Sequence, residues 1–168
     1  ADGTSQTEIL ENLKKAAVDK RITRVFLDMG PLGAGFSKCE ELRQAIHAVR
    51  KAGKTVIAWS PIFEPKSYSV AVACDSIEMI PSGQFVFTGF DQERMYVKGL
   101  LDKVGVHENV DRIESYKSAA EMTMRTDMSP AARENAQRLL DDQVRAFRAA
   151  LREERGLTDA DIDALLAH

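Results

Sequence analysis

Residues 24–29, Arg24-Val25-Phe26-Leu27-Asp28-Met29, form a short and mostly apolar run that sets the architecture of the chain. Its length and its bulky side chains predict a strand buried on both faces. Before it, apolar residues recur every three or four positions from Thr7 to about Asp19, which predicts an amphipathic helix. The chain therefore begins with a helix followed by a strand.

The same helix-strand unit is repeated. A second apolar periodicity runs from Ser37 to Gly53, where a left-handed cap is expected, and Lys54-Thr55-Val56-Ile57-Ala58-Trp59 follows as the next strand. Two such units joined by short connections predict a parallel sheet with right-handed crossovers. A helix of small residues and two further strands are expected over 67–75, 76–80 and 84–89.

The second half of the chain is more helical. The sequence predicts a short helix over 97–104 and a more polar strand over 106–113. A long helix should begin at Ser129-Pro130, and a last short helix should be capped by Thr158. We therefore expect one α/β domain over residues 1–168, with repeated helix-strand units and a helical C-terminal tail.

Composition narrows the function classes. The chain has 168 residues, 44% hydrophobic and 29% charged, with a net charge of -3, so neither nucleic acid nor an anionic membrane surface is an expected partner. Its two cysteines are expected to be buried thiols, and its three histidines form no metal-ligand spacing. Because the chain opens directly into a helix and ends on one, we interpret it as a domain excised from a longer protein.

Lys117 is the first candidate catalytic residue, within Ser115-Tyr116-Lys117-Ser118-Ala119. A lysine titrates near 10.4 in water and must be desolvated or crowded by positive charge to act as a base near pH 7. Small polar neighbours and an aromatic ring can supply such surroundings. The alternative is that Lys117 caps a strand or pairs with Glu114 or Glu121.

A glycine-rich loop follows the first strand. Gly33 and Gly35 belong to Gly30-Pro31-Leu32-Gly33-Ala34-Gly35, which could bring backbone N–H groups close to a ligand carbonyl, as an oxyanion hole requires. The loop lacks the glycine patterns of nucleotide phosphate binding. A plain connection between strand and helix explains it equally well.

Five segments carry a resemblance to a known family: 21–28, 54–58, 99–106, 116–119 and 127–133. Together they resemble the signal peptide peptidase A family, also called protease IV. The resemblance implies a Clp protease and crotonase-like fold. It also implies a membrane-anchored bacterial serine protease that degrades signal-peptide remnants with a serine-lysine dyad, without a metal or organic cofactor.

The resemblance also implies residue roles. Lys117 would be the general base, and Ser118 would orient its amine. The family position of the nucleophilic serine falls at Pro65, and Ser67 and Ser69 nearby lack the glycines that surround that serine in the short form of the family. A lysine without the serine is the pattern of the N-terminal half of the long, two-domain form, so the nucleophile is expected on a second protease domain.

The remaining expectations concern partners and alternatives. The resemblance implies an extended apolar peptide as substrate, the periplasmic side of the bacterial inner membrane with membrane contact only through the parent protein, and a homo-oligomer that buries apolar residues of the last two helices. One alternative is a non-catalytic scaffold repeat, favoured by Pro65, Glu114 and Met122. Another is an acyl-CoA enzyme, although no paired acidic residues follow the small-residue helix.

Overall fold

The computed structural model describes residues 5–30, 32–33, 35–87, 89–106 and 120–166. Within these ranges the elements follow one another along the chain as α1 (Gln6–Val18), β1 (Arg24–Asp28), α2 (Phe36–Lys51), β2 (Thr55–Trp59), β3 (Ile62–Phe63), α3 (Pro65–Ala71), β4 (Ser76–Glu78), β5 (Gln84–Phe85), α4 (Lys98–Lys103), α5 (Glu121–Met124), α6 (Pro130–Arg155) and α7 (Asp159–Leu166). The expected α/β architecture with a helical C-terminal end is confirmed.

The chain divides into two compact units. The first comprises Ala1–Gly89 and Ala146–His168, and the second comprises Phe90–Arg145. All the described strands belong to the first unit.

The main sheet of the first unit is parallel, in the order β1-β2-β4. Val25 pairs with Val56 and Ala58 pairs with Ile77, in the register that two consecutive helix-strand units require. The expectation that β1 is buried on both faces is wrong, because Phe26 is 58% exposed. Among the described strands β1 lies at the edge of the sheet, whereas β2 lies in the centre and buries Val56 and Ala58 completely.

The core of the first unit is formed by apolar residues of α1, α2, α3 and the sheet. Ile46 and Val49 on α2 are fully buried and belong to one cluster with Leu13 of α1 and Val70 of α3. Truncating such a side chain to alanine costs about 2–5 kcal/mol, because both transfer free energy and packing are lost. The helical periodicity of the sequence therefore identifies the core correctly.

Element boundaries around α3 differ from the sequence prediction. The helix begins at Pro65 rather than Ser67 and ends at Ala71, so the segment 72–75 is not helical. The two-residue strand β3 precedes it and pairs in parallel with β5, an arrangement that sequence reasoning missed. Within the described part of the expected strand 84–89, Gln84 and Phe85 pair with the two residues of β3.

Charged side chains attach the end of α6 to α2 within the first unit. Glu154 lies 3.3 Å from Arg43 Nη2 and 2.7 Å from His47 Nε2, and its side chain is only 9% exposed. Arg155 donates a hydrogen bond of 3.1 Å to the carbonyl of Cys74. The charges near 145–155 are therefore not all on a solvated face, because some of them join the helix to the rest of the unit.

The second unit contains α4, α5 and the first part of α6. The amide of Val97, which precedes α4, donates to the carbonyl of Met122 in α5 at 2.7 Å. Gly105 follows α4 with φ +71, a left-handed conformation that explains glycine at this position. Most of the polar strand expected over 106–113 lies outside the described residues.

Candidate active site

The two residues on which the catalytic prediction depends, Lys117 and Ser118, lie outside the described residues, as does Glu114. Their roles remain predictions. Met122, one of the residues that favour the scaffold alternative, lies in α5 and is 50% exposed.

Pro65 occupies the first position of α3. Proline suits this position, since it has no N–H to leave unpaired and its φ angle is already helical. Glu64 precedes it with extended backbone angles, φ -104 and ψ 166. The position to which the resemblance assigns the nucleophile is therefore the start of a helix, and proline has no group that can attack a carbonyl.

Neither of the two serines near Pro65 is placed as a nucleophile. The Ser67 hydroxyl accepts a hydrogen bond from the Glu64 amide at 3.0 Å and lies 3.1 Å from the Glu64 carbonyl, to which it donates. The Ser69 hydroxyl donates to the carbonyl of Lys66 at 2.6 Å. Ser67 and Ser69 are 1% and 2% exposed, so their hydroxyl groups stabilise α3 and do not reach a substrate.

Aromatic rings pack around Tyr68, in the first turn of α3. The Tyr68 ring makes edge contacts with Phe63, Phe85 and Phe87, with centroids 6.0, 5.5 and 5.4 Å away. Phe85 is still 50% exposed. Edge-to-face aromatic pairs fix ring orientation, so this cluster holds the start of α3 on the β3–β5 pair.

Gly33 and Gly35 lie in the connection from β1 to α2, and both are exposed. Gly35 is the N-cap residue of α2, with φ -73 and ψ 165, and a Cβ added at either glycine would meet no atom within 4 Å. Local geometry thus does not require glycine here, although the exposed backbone remains accessible to a ligand. Their assignment to the oxyanion side stays a prediction.

Sequence reasoning missed the role of Glu121. This carboxylate is 3% exposed, and it accepts hydrogen bonds from both the hydroxyl and the amide of Ser129, at 2.6 and 3.2 Å. Ser129 was identified only as the cap of the long helix, and Glu121 only as a possible partner of Lys117. Since the two residues are eight positions apart in different elements, periodicity alone could not pair them.

Metal binding finds no support in the part of the chain that the structure describes. No group of three histidine, cysteine or acidic side chains there could hold a metal ion. Both cysteines are buried free thiols.

Comparison with known proteins decides the family. A sequence model of peptidase family S49 matches residues 48–167, which is most of the chain. The chain belongs to peptidase family S49. The fold is accordingly the Clp protease-like fold, as the resemblance implied.

Curated relatives of this S49 chain include the chloroplastic serine protease SPPA of Arabidopsis thaliana, 34% identical over 140 residues. Protease 4 of Salmonella typhi is 36% identical over 128 residues, and Protease 4 of Haemophilus influenzae is 30% identical over 154 residues. The matches cover 83%, 76% and 91% of this chain but only 21%, 21% and 25% of the relatives. These names confirm the resemblance to the signal peptide peptidase A family, and the chain spans about a quarter or less of their length.

Proposed function

We propose that this S49 chain is the lysine-bearing domain of a serine-lysine peptidase, in which another domain supplies the nucleophilic serine. The Lys117 amine takes the proton of that serine hydroxyl while the serine oxygen attacks the peptide carbonyl. The protonated lysine then gives the proton to the departing amine, and an ester-linked acyl-enzyme remains. Ser118 orients the Lys117 amine.

The observation that supports the proposal is that no hydroxyl group at the start of α3 is available as a nucleophile. By the family resemblance the position of the nucleophile falls at Pro65, the first residue of α3, and the hydroxyl groups of Ser67 and Ser69 are buried in hydrogen bonds of the helix itself. A serine-lysine mechanism therefore needs a serine from elsewhere, which is the arrangement of the long, two-domain form. It follows that residues 1–168 on their own should hydrolyse no peptide or ester.

The proposed substrate is an extended apolar peptide, namely a remnant of a signal peptide. Such peptides commonly bind by adding a strand to a sheet edge. The backbone near Gly33 and Gly35 is exposed, which suits a cleft or oxyanion side, where N–H groups stabilise the charge that develops on the carbonyl oxygen. The reaction requires no cofactor, since the serine and lysine provide nucleophile and base.

The proposed setting is the periplasmic side of a bacterial inner membrane, reached through other parts of the parent protein. Across the described ranges, no helix combines the length and the apolar character needed to span a bilayer. We further propose that the full-length protein is a homo-oligomer, as the family resemblance implies.

The test is to replace Lys117 in the full-length protein and to assay an apolar peptide or ester substrate. Lys117→Ala should lower kcat by about 10²–10⁴-fold, because a general base contributes that much. Lys117→Arg should not restore activity, since a guanidinium keeps its proton. The matched control is Lys103→Ala, which removes an exposed lysine from α4 and should leave kcat unchanged.

The second candidate function is a non-catalytic scaffold repeat, and Pro65 is the observation that favours it. A repeat that takes no part in catalysis does not require a nucleophile at that position. The same experiment separates the two candidates, because a scaffold predicts that Lys117→Ala and Lys103→Ala are equally active. That result would overturn the dyad proposal.

A further inference from the structure

The strand β5 lies in a stretch of sequence without charged side chains. Residues 79–90 contain no lysine, arginine, aspartate or glutamate, whereas 29% of the whole chain is charged. The strand β1, at the edge of the main sheet among the described strands, instead has Arg24 at its start and Asp28 at its end. Charged side chains on an edge strand oppose pairing with another chain. The β5 strand has no such protection in its sequence.

The backbone of β5 is paired on one side only within the described part of the chain. The amide of Gln84 donates to the carbonyl of Pro61 at 3.0 Å. The amide of Val86 donates to the carbonyl of Phe63 at 2.8 Å. Since successive amides of a strand point to opposite sides, the N–H and C=O groups of Phe85 point away from β3, where no described strand pairs with β5. These groups are positioned to pair with another extended chain.

Apolar side chains beside this free edge are held in place yet remain accessible. The Phe85 ring stacks on Phe63 and on Phe87, with centroids 5.7 and 5.8 Å away and planes 21° apart in both pairs. Phe85 is nevertheless 50% exposed, and Ile62, which pairs with Gln84 in the register, is 42% exposed. Side chains that are already ordered lose little conformational freedom on binding, so they favour contact with an apolar ligand.

These observations define the ligand that fits. Unpaired N–H and C=O groups on a strand edge match the backbone of an extended chain. The exposed parts of Phe85 and Ile62 favour apolar side chains on that chain, and the uncharged stretch 79–90 supplies no partner for a charged one. An exposed edge of this composition promotes aggregation unless something covers it. An extended apolar peptide meets all these conditions.

We propose that the free side of β5 is a peptide-binding site that holds an extended apolar peptide as an added strand without cleaving it. The Tyr68 ring of α3 contacts Phe85 with centroids 5.5 Å apart, so the site adjoins the start of α3, where no hydroxyl group is available to attack a carbonyl. Main-chain hydrogen bonds supply affinity, and the exposed apolar side chains select the ligand. The inference rests on the proposed function for the chemical class of the peptide, but it does not use Lys117.

The experiment uses the full-length protein after reaction with a serine-reactive phosphonate that bears an apolar side chain. This reagent blocks the catalytic serine of the proposed dyad, so a probe peptide is neither cleaved nor bound there. The probe is a short fluorescein-labelled peptide of alternating leucine and serine with blocked ends. Fluorescence anisotropy should still detect saturable binding of this probe to the blocked protein.

N-methylation of the probe tests strand addition. In an added strand, alternate amides face β5 and the others face solvent. Methyl groups on one alternate set should therefore lower the affinity by about tenfold or more, and methyl groups on the other set by less than about threefold. Because the protein is the same in both titrations, the comparison does not depend on the folding of a variant.

A photo-crosslink locates the site. A probe with benzoylphenylalanine in place of one leucine should crosslink to the tryptic peptide 67–94, which contains β5. Phe85→Glu should lower the affinity by about tenfold or more, since the ligand would remove a charge from water without a partner for it. The matched control Phe26→Glu makes the same replacement at an exposed position of β1 and should keep the affinity of the unmodified protein, whether or not assembly changes.

Each outcome has a separate meaning. If the phosphonate does not react and the protein cleaves no peptide, the proposed function fails, whereas crosslinking within 67–94 still supports the β5 site. If the phosphonate reacts but the two N-methylated probes bind alike, or the crosslink lies outside 67–94, the inference is overturned and the proposed function stands. If Phe85→Glu keeps the affinity for the probe but breaks up an oligomer, the free side of β5 binds a second copy, which also overturns the inference.

Discussion

At the scale of single residues, burial decides the chemistry of the two thiols. Cys74 is 1% exposed, and burial raises the pKa of its thiol to about 12. Cys39 is 2% exposed, and burial also raises the pKa of its thiol, an effect that a hydrogen bond with Ser69 partly offsets. Since the thiolate is the reactive form, these cysteines serve as small apolar core residues.

We predict that neither thiol reacts with a disulfide reagent in the native protein at pH 8. With a pKa of about 12, only about one Cys74 thiol in ten thousand is ionised at that pH. Mass spectrometry of tryptic peptides should find the label on both cysteines after unfolding in guanidinium and on neither before. Rapid labelling of Cys74 in the native protein would contradict its burial.

The structural role of a residue could be predicted from the sequence where burial follows from the pattern of apolar residues, as for the two cysteines. The roles of Ser67 and Ser69 could not be predicted, because the sequence does not show whether a serine hydroxyl caps a helix or faces a substrate. Only the hydrogen bonds to Glu64 and Lys66 assign them to the helix. The pairing of Glu121 with Ser129 was hidden for the same reason.

At the scale of elements, Asp75 links the sheet to the turn after α3. Its carboxylate accepts from the Val56 amide at 2.8 Å and pairs with Arg50 Nε at 2.8 Å. The hydrogen bond from the Val56 amide, followed by the bond from Arg50, lowers the pKa of Asp75. The carboxylate therefore stabilises the start of β2 and the approach to β4 in its ionised form.

We predict that Asp75→Ala lowers the free energy of unfolding by about 1–2 kcal/mol at pH 7, since it leaves the Val56 amide without its acceptor. The ion pair adds little, because the side chain is 36% exposed and solvent screens it. A lowered folded-state pKa gives stability that is present above the unfolded-state value of about 3.9 and is lost as pH falls through the folded-state value.

Urea unfolding at several pH values is the measurement for Asp75. The difference between the unmodified protein and Asp75→Ala should be constant near neutrality and shrink below about pH 4. Glu11→Ala, which removes an exposed carboxylate from α1, is the control and should change stability by less than about 0.5 kcal/mol. A difference that does not depend on pH would show that Asp75 acts without its charge.

Elements were predictable where one strong pattern defines them, as for α1, α2 and α6. The position of β1 at the edge of the described strands was not predictable, because an apolar run has the same composition in the centre of a sheet and at its edge, and only the strand order distinguishes them. The pair formed by β3 and β5 was missed because two residues carry no periodicity. The part of the site that involves Lys117 could be predicted only through family resemblance, since spacing alone favoured a structural lysine.

At the scale of the whole molecule, exposed apolar surface bears on the proposed homo-oligomer. Phe147, Leu151 and Ile162 in the last two helices are fully buried within the chain, so they are not free to cover a neighbour as the sequence suggested. The register of the main sheet instead places Phe26 beside Ile57, and Phe26 is 58% exposed. Covering this ring with a neighbouring chain would remove apolar surface from water, so Phe26 is a candidate contact for the proposed homo-oligomer.

We predict that a second copy of the protein covers this sheet face. The full-length protein should sediment as an oligomer at micromolar concentration, and Phe26→Glu should shift it to smaller species, because a charge buried in an apolar contact opposes association. Val18→Glu is the control, since Val18 is 80% exposed at the end of α1 and should not affect assembly. A full-length protein that stays monomeric at high concentration would refute oligomerisation. If Phe26→Glu assembled normally while the protein was oligomeric, the contact would have to use another surface.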